Sequence, residues 1–278
     1  MKTFKRLTLS SAVLFFLSWF LLAAGDTCHA QQLDVPYVST PHSVVEAMLN
    51  VARVGPGDYV IDLGSGDGRI VIAAAQRGAF GHGVDLNPER VTEAAQNAVS
   101  AGVSERVQFL EGDLFEADIS RATVITLYLF QHVNLSLKPT LFEQLKPGTR
   151  IVSHDFSMGR WEADEHVRED NRDVYYWIIP ADIRGRWEWS VDGENFIMDV
   201  QQDFQKISVK LSKGNKKLQV RDPAVAGERV SFLAEDPQDA KRYAFSARAD
   251  GDSITGIMHI TSGRTTRVEN WNAKLRIR

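Results

Sequence analysis

Short apolar runs alternate with segments of helical periodicity between residues 59 and 156, and beyond residue 180 the rhythm changes to closely spaced runs of period two. The runs at 59–63, 81–86, 107–111, 123–129 and 149–156 read as buried strands. Between them, helical segments open at Arg69, at Asn87-Pro88-Glu89 and at Gln131, and the last is stopped by Lys146-Pro147-Gly148. This alternation predicts an α/β domain built on a doubly wound, mostly parallel sheet. After a charged stretch at 162–173, the run Val174-Tyr175-Tyr176-Trp177-Ile178-Ile179-Pro180 completes the sheet at its edge.

From Gly185-Arg186-Trp187-Glu188-Trp189 onward, alternating runs recur at 196–204, 206–211, 217–220, 229–233, 242–249, 253–260 and 266–275. Asp192-Gly193, Gly214-Asn215 and Asp250-Gly251 separate them as turns, which predicts an antiparallel meander closed into a small β-barrel or sandwich. Gly185-x-Trp187 and Trp271-x-Ala273 suit a pairing of the first and last strands. That is weakly lipocalin-like, and at this length a filled interior is expected ahead of a ligand cavity. The chain divides on this reading into a leader at 1–30, an α/β domain at 31–180 and a β domain at 181–278.

The leader changes the expected compartment. Lys2, Lys5 and Arg6 precede an uncharged run at 7–24, and Cys28-His29-Ala30 follows, which reads as a secretory signal cleaved after Ala30 and implies export, to the periplasm. The same run is long enough to stay as an inner-membrane anchor, the alternative reading. Cleavage removes three positive charges and one negative, Asp26, taking the net charge from −4 to −6, and also removes the single cysteine. A negative chain has no general attraction for phosphate backbones, so nucleic acid is not an expected partner. No cluster has convincing metal spacing.

Candidate chemistry concentrates where the first strand meets its helix. Asp62-Leu63-Gly64-Ser65-Gly66-Asp67-Gly68 sets an acid and three alternating glycines between strand and helix, a cradle for a nucleotide cofactor. The spacing is acidic-x-G-x-G-x-G and not the G-x-G-x-x-G of dinucleotide enzymes. Asp85, followed by Leu86, ends the second strand and suits a ribose, because a carboxylate accepts from both hydroxyls. Asp85 also precedes a helix start in which Asn87 caps and Pro88 takes the first position, and both readings can hold. Asp113, followed by Leu114, lies beyond the third strand.

The ordered set of strand-tip acids with this glycine turn resembles the class I S-adenosylmethionine-dependent methyltransferases. Val35-Pro36-Tyr37-Val38-Ser39-Thr40-Pro41 before the turn, with Leu127-Tyr128-Leu129 and Ser153-His154-Asp155-Phe156 after it, narrows the likeness to bacterial relatives of the ATP synthase c-subunit lysine N-methyltransferase family. The resemblance implies S-adenosyl-L-methionine as cofactor. It implies that Gly64, Ser65 and Gly66 wrap the amino-acid end while Asp62 holds its positive charge. Asp113 would approach the adenine amino group with Leu114 on the ring, and Tyr37 and Thr40 would cover the cofactor.

The acceptor follows less directly. The fourth strand ends in Leu127-Tyr128-Leu129-Phe130 and not in the Asn/Asp-Pro-Pro-aromatic signature of amino-methylating nucleic-acid enzymes. A lysine acceptor must lose a proton, which needs a base or a desolvating aromatic pocket. Tyr128, His154 and Asp155 are the catalytic candidates by position, with packing roles open for Tyr128 and His154. The expected function is N-methylation of a protein amine. The alternatives are a small-molecule methyltransferase and a non-catalytic envelope binding protein on the same scaffold.

Overall fold

The computed structural model describes residues 38–278, so the leader and Tyr37 lie outside the described residues. The α/β part runs α1 (His42–Val51), β1 (Tyr59–Leu63), α2 (Arg69–Gln76), β2 (Phe80–Asp85), α3 (Pro88–Ser100), β3 (Val107–Glu111), β4 (Val124–Leu127), α4 (Gln131–Gln144), β5 (Arg150–His154), β6 (Glu165–Glu169) and β7 (Arg172–Ile178). Its sheet has the order β3-β2-β1-β4-β5-β7-β6, parallel from β3 to β5, with β7 and β6 antiparallel. The order reverses between β1 and β4, and that switch point leaves a crevice at the carboxyl ends of the strands.

Strict alternation packs both faces of the sheet. Val60, Val124, Val152 and Val174 join α1 and α2 on one side, while Ile61, Leu63, Ile125, Leu127, Ile151 and Trp177 meet α4 on the other. The fourth strand is shorter than its apolar run predicts, because the chain leaves the ladder at Tyr128 and turns into α4. Strand β6 falls inside the stretch read as merely charged. Glu165-His166-Val167-Arg168-Glu169 carries one apolar residue, as suits an edge strand that discourages further pairing. Asp170 and Asn171, both at positive φ, make the tight turn into β7.

The β part is a closed meander barrel of β8 (Gly185–Val191), β9 (Glu194–Asp203), β10 (Lys206–Lys213), β11 (Lys216–Ala226), β12 (Arg229–Glu235), β13 (Arg242–Asp250), β14 (Ser253–Ser262) and β15 (Thr265–Ile277). The first and last strands pair as expected, with Leu275 opposite Trp187. Trp189, Phe196, Phe232, Phe245 and Trp271 fill the interior, Trp189 stacked on Phe196 and Phe232 on Phe245. Strand β11 outruns its predicted end because a bulge between Arg221 and Ala224 absorbs Pro223, which cannot donate to the ladder.

One end of the barrel rests on the α/β part. The Ala181 N–H donates to the Gly227 carbonyl at 2.9 Å, and a side chain on Gly227 would come within 2.9 Å of the Gly148 backbone, just before β5 begins. At the β9–β10 turn Phe204 is held at φ 55, an uncommon backbone for a bulky residue, with its ring set against Trp161 and Phe142. The seam therefore lies near the amino end of β5, away from the switch-point crevice. Phe204→Ala is expected to lower the unfolding free energy by about 2 kcal/mol, less than for a fully buried ring. Denaturant titration reads this, and cofactor affinity should not move.

Candidate active site

The turn after β1 holds a shape that its glycines permit. Gly64, Gly66 and Gly68 take φ values of 80, 53 and 79°. A Cβ on Gly68 would sit 2.6 Å from the Phe109 ring, and one on Gly64 2.9 Å from Leu129. The N–H groups of Gly64 and Ser65 donate to the Val84 carbonyl at 2.8 and 3.0 Å, and that of Gly66 donates to Asp85 Oδ2 at 2.8 Å. The turn is thus fastened to β2 before any ligand arrives.

Asp62 is the electrostatic centre of the site. Parallel pairing sets it between Gly83 and Thr126, and Thr126 Oγ1 donates to Asp62 Oδ1 at 2.6 Å. Only 2% of the residue is exposed, and this burial raises its pKa from 3.8 to about 7, with the nearby Asp85 and Asp67 carboxylates adding to the effect of burial. A carboxyl so desolvated gains most from a cation brought against it. Ser65 Oγ is also buried at this turn, with no hydrogen-bond partner among the described residues. The cradle, the dry acid and the orphaned hydroxyl fit the ammonium-bearing amino-acid end of S-adenosylmethionine.

Asp85 serves both of its sequence readings. Its Oδ1 accepts from the Asn87 N–H at 2.9 Å, and Asn87 Oδ1 accepts from the Glu89 N–H at 2.8 Å to cap α3. A carboxylate has about four acceptor positions, so those left over remain for ribose hydroxyls. Leu86 is half-buried beside it. Asp113 Oδ1 accepts from the Phe115 N–H at 2.9 Å, and Leu114 packs on the core that holds Leu63 and Val84. Because β3, β2 and β1 are neighbours, their tips bring Asp113, Asp85 and Asp62 to one edge.

A second network closes the crevice from the α1 side. Arg69 Nε and Nη2 grip the Asp67 carboxylate at 2.9 and 2.5 Å, and Nη1 donates to the Thr40 carbonyl at 2.8 Å. Buried Thr40 in turn places Oγ1 3.1 Å from His154 Nδ1. Arg69, Asp67 and Thr126 escaped the sequence reading. The usable signal for Thr126 was its place in the fourth strand, one residue from the end, matching Asp62 in the first.

The three catalytic candidates do meet. The Tyr128 ring stacks on His154 with centroids 3.8 Å apart, and His154 Nε2 lies 3.4 Å from Asp155 Oδ2. Burial lowers the His154 pKa to about 4 against the opposing pull of Asp155, so the imidazole is neutral at physiological pH. Burial raises the Tyr128 pKa, and Asp155 adds to this, which keeps the phenol protonated. Asp155, at φ 60, is held by Arg172 Nη1 at 2.9 Å and by the Asp173 N–H at 3.0 Å.

A sheet of this order, with acids at three adjacent tips and a left-handed glycine turn, defines a class I S-adenosylmethionine-dependent methyltransferase. The family model described as the ANTKMT methyltransferase domain matches residues 62–165. A protein-lysine N-methyltransferase of Saccharolobus islandicus is 47% identical over 151 residues, 52% of this chain and 94% of that one. The mouse adenine nucleotide translocase lysine N-methyltransferase is 35% identical over 57% of this chain and 69% of its own. Among solved structures, an RNA methyltransferase from Salinibacter ruber bound to S-adenosyl-L-homocysteine is 56% identical, with a TM-score of 0.52 over 52% of this chain and 96% of that one. The chain belongs to the methyltransferase family of the Saccharolobus enzyme.

When bound, S-adenosylmethionine supplies a sulfonium methyl already activated for transfer. The chain's own task is to orient and to exclude water. Asp62 sets a pH sign for both stability and binding. Its pKa is higher folded than unfolded, so its stabilising contribution is complete below pH 3.8 and is lost as pH rises through about 7. At pH 8 Asp62→Asn should therefore raise the unfolding free energy of the cofactor-free protein by on the order of 3 kcal/mol while abolishing cofactor binding. Wild-type affinity should fall as pH drops below 7, since a protonated acid no longer pairs with an ammonium. Asp85→Ala should weaken binding by about tenfold or more, ~1.4 kcal/mol, read by calorimetry.

Proposed function

We propose that the protein methylates lysine amines of a protein substrate. The observation that carries this reading is the aromatic corner at the β4 and β5 tips. Phe156 lies 6.3 Å from the Tyr128 ring and 5.6 Å from that of Phe130, which meets it edge-on, and Phe130 is exposed to solvent. Ring faces attract an ammonium by cation–π interaction and, by displacing water, lower the pKa of the amine that enters. The names borne by the Saccharolobus and mouse relatives support the same substrate class.

In this reading Tyr128 lines the acceptor path, while His154 and Asp155 are positioning residues. Thr40 Oγ1 occupies the imidazole Nδ1, Nε2 is buried without a hydrogen bond and has only the Asp155 carboxylate 3.4 Å away, and that carboxylate is tied to β7. Desolvation by the rings lowers the pKa of the amine, whose proton passes to bulk water through the open corner beside Phe130. Transfer to RNA is the competing reading, raised by the Salinibacter relative, and against it stand the net charge of −4 and the Leu127-Tyr128-Leu129-Phe130 tip. A small-molecule acceptor would need a pocket closed around Tyr128, whereas Phe130 leaves the corner open. We also propose that residues 1–30 are an export signal placing the enzyme in the periplasm, with retention as an anchor through residues 7–24 as the alternative; among the described residues no helix is long and apolar enough to span a membrane.

Methyl transfer from labelled S-adenosylmethionine to a lysine-rich protein and to RNA, run side by side, decides the substrate class. Label on protein lysines is expected; label on RNA alone would overturn the reading. Phe130→Ala and Phe156→Ala should each raise KM for the protein by about tenfold, ~1.4 kcal/mol, with cofactor affinity unchanged. Fractionation of the source cells, with the protein in the periplasmic or membrane fraction, tests the export proposal.

A further inference from the structure

The barrel has unlike ends. At the end facing the α/β part the interior is stopped. The Gln202 side chain donates to the Ala181 carbonyl at 2.9 Å and accepts from the Ile183 N–H at 2.9 Å, so the segment before β8 is drawn across the opening, with Trp187 Nε1 bonded to the Ile183 carbonyl. At the other end, where the β8–β9 and β14–β15 turns lie, a cavity of about 280 Å³ enters the barrel. Its floor is Phe196, Tyr243, Met258 and Ile260, each less than 9% exposed.

Charged residues occupy inward positions around this mouth. Along β10 and β15 the inward parity that buries Leu211 and Trp271 also carries Lys213 and Arg267, and along β9 the parity of Phe196 carries Glu194. Alternation alone predicts apolar residues at such sites. Lys241 and Asp192 complete the charged rim, and Asp239 and Glu269 stand beside it as ion-pair partners, so the three bases meet four acids and the sign of a ligand is set by Lys213. Arg267 is joined to Asp192 and to Glu269, and Lys241 lies 3.3 Å from Asp239. Lys213 differs: only 15% of its side chain is exposed, and Glu194 stands 3.6 Å away, beyond hydrogen-bonding distance. A mostly buried lysine side chain, loosely paired with Glu194 and with donor capacity to spare, shares the cavity with an apolar floor.

We propose that this mouth binds a short amphiphilic anion, its apolar chain on Phe196, Tyr243, Met258 and Ile260 and its head group accepting from Lys213. At about 280 Å³ the cavity falls just below the size range of small-molecule sites, roughly 300–1,000 Å³, which suits a single short chain and excludes a two-chain lipid. The mouth and the sheet-facing end are opposite, so a ligand there leaves the cofactor crevice clear.

Trp189, stacked 5.1 Å from Phe196, provides a fluorescence signal for titration of the whole protein with octanoate, 1-octanol and octylamine. Saturable binding is expected for octanoate, weaker binding for octanol and none for octylamine. Lys213→Met should lower octanoate affinity about tenfold, to the level of octanol, and leave octanol unchanged. Thr265→Trp, at an exposed rim position, should block both without unfolding the barrel. Absence of saturable octanoate binding would overturn the proposal, as would octylamine binding as tightly as octanoate, or octanoate binding that both variants leave intact.

Discussion

The catalytic edge depends on keeping the Asp62 carboxyl dry. A carboxylate out of water is costly unless something compensates, and here Thr126 supplies one hydrogen bond while the glycine turn shuts solvent out. Burial, only partly offset by that hydrogen bond and reinforced by Asp85 and Asp67, raises the Asp62 pKa to about 7. The surrounding architecture maintains that state. Gly83 leaves room on one flank, the Val84 carbonyl and Asp85 pin the turn, and Arg69 draws the Thr40 segment over it. The residues that shape the cradle therefore also make it want a cation.

The two parts of the chain use their ends differently. The sheet presents cofactor acids and the aromatic corner at its carboxyl edge, while the barrel attaches near the amino end of β5 through Phe204, Gly227 and Gly148. Among the described residues, Phe204, Gly227 and Gly148 make their contacts away from the crevice. The family model stops at residue 165, and the Saccharolobus, mouse and Salinibacter relatives each match between 52% and 57% of the chain, so chemistry common to the family needs no barrel, and the barrel is free to serve a separate binding task.

Much of this was legible because periodicity and chemistry agreed. Asp62, Asp85 and Asp113 follow apolar runs that can only be strands, so their convergence came with the predicted sheet. The pairing of the barrel's ends was likewise readable from Gly185-x-Trp187 and Trp271-x-Ala273. What escaped had weak local signals. Strand β6 has one apolar residue, and the β11 bulge hides behind Asp222-Pro223, which reads as a break. Arg69 looked like the start of a helix, since its bond to the Thr40 carbonyl spans 29 residues and leaves no pattern along the chain. The filled barrel interior was expected; the charged inward positions at its mouth were not, because alternation predicts orientation and says nothing of an opening.

The most direct test is calorimetric titration of the purified protein with S-adenosyl-L-homocysteine at pH 8, where Asp62 is ionised. One saturable site with a Kd in the micromolar range, about −8 kcal/mol, is the result this account predicts. A folded protein that gives no binding heat would contradict it, leaving the intact acids and glycines as a scaffold without a cofactor.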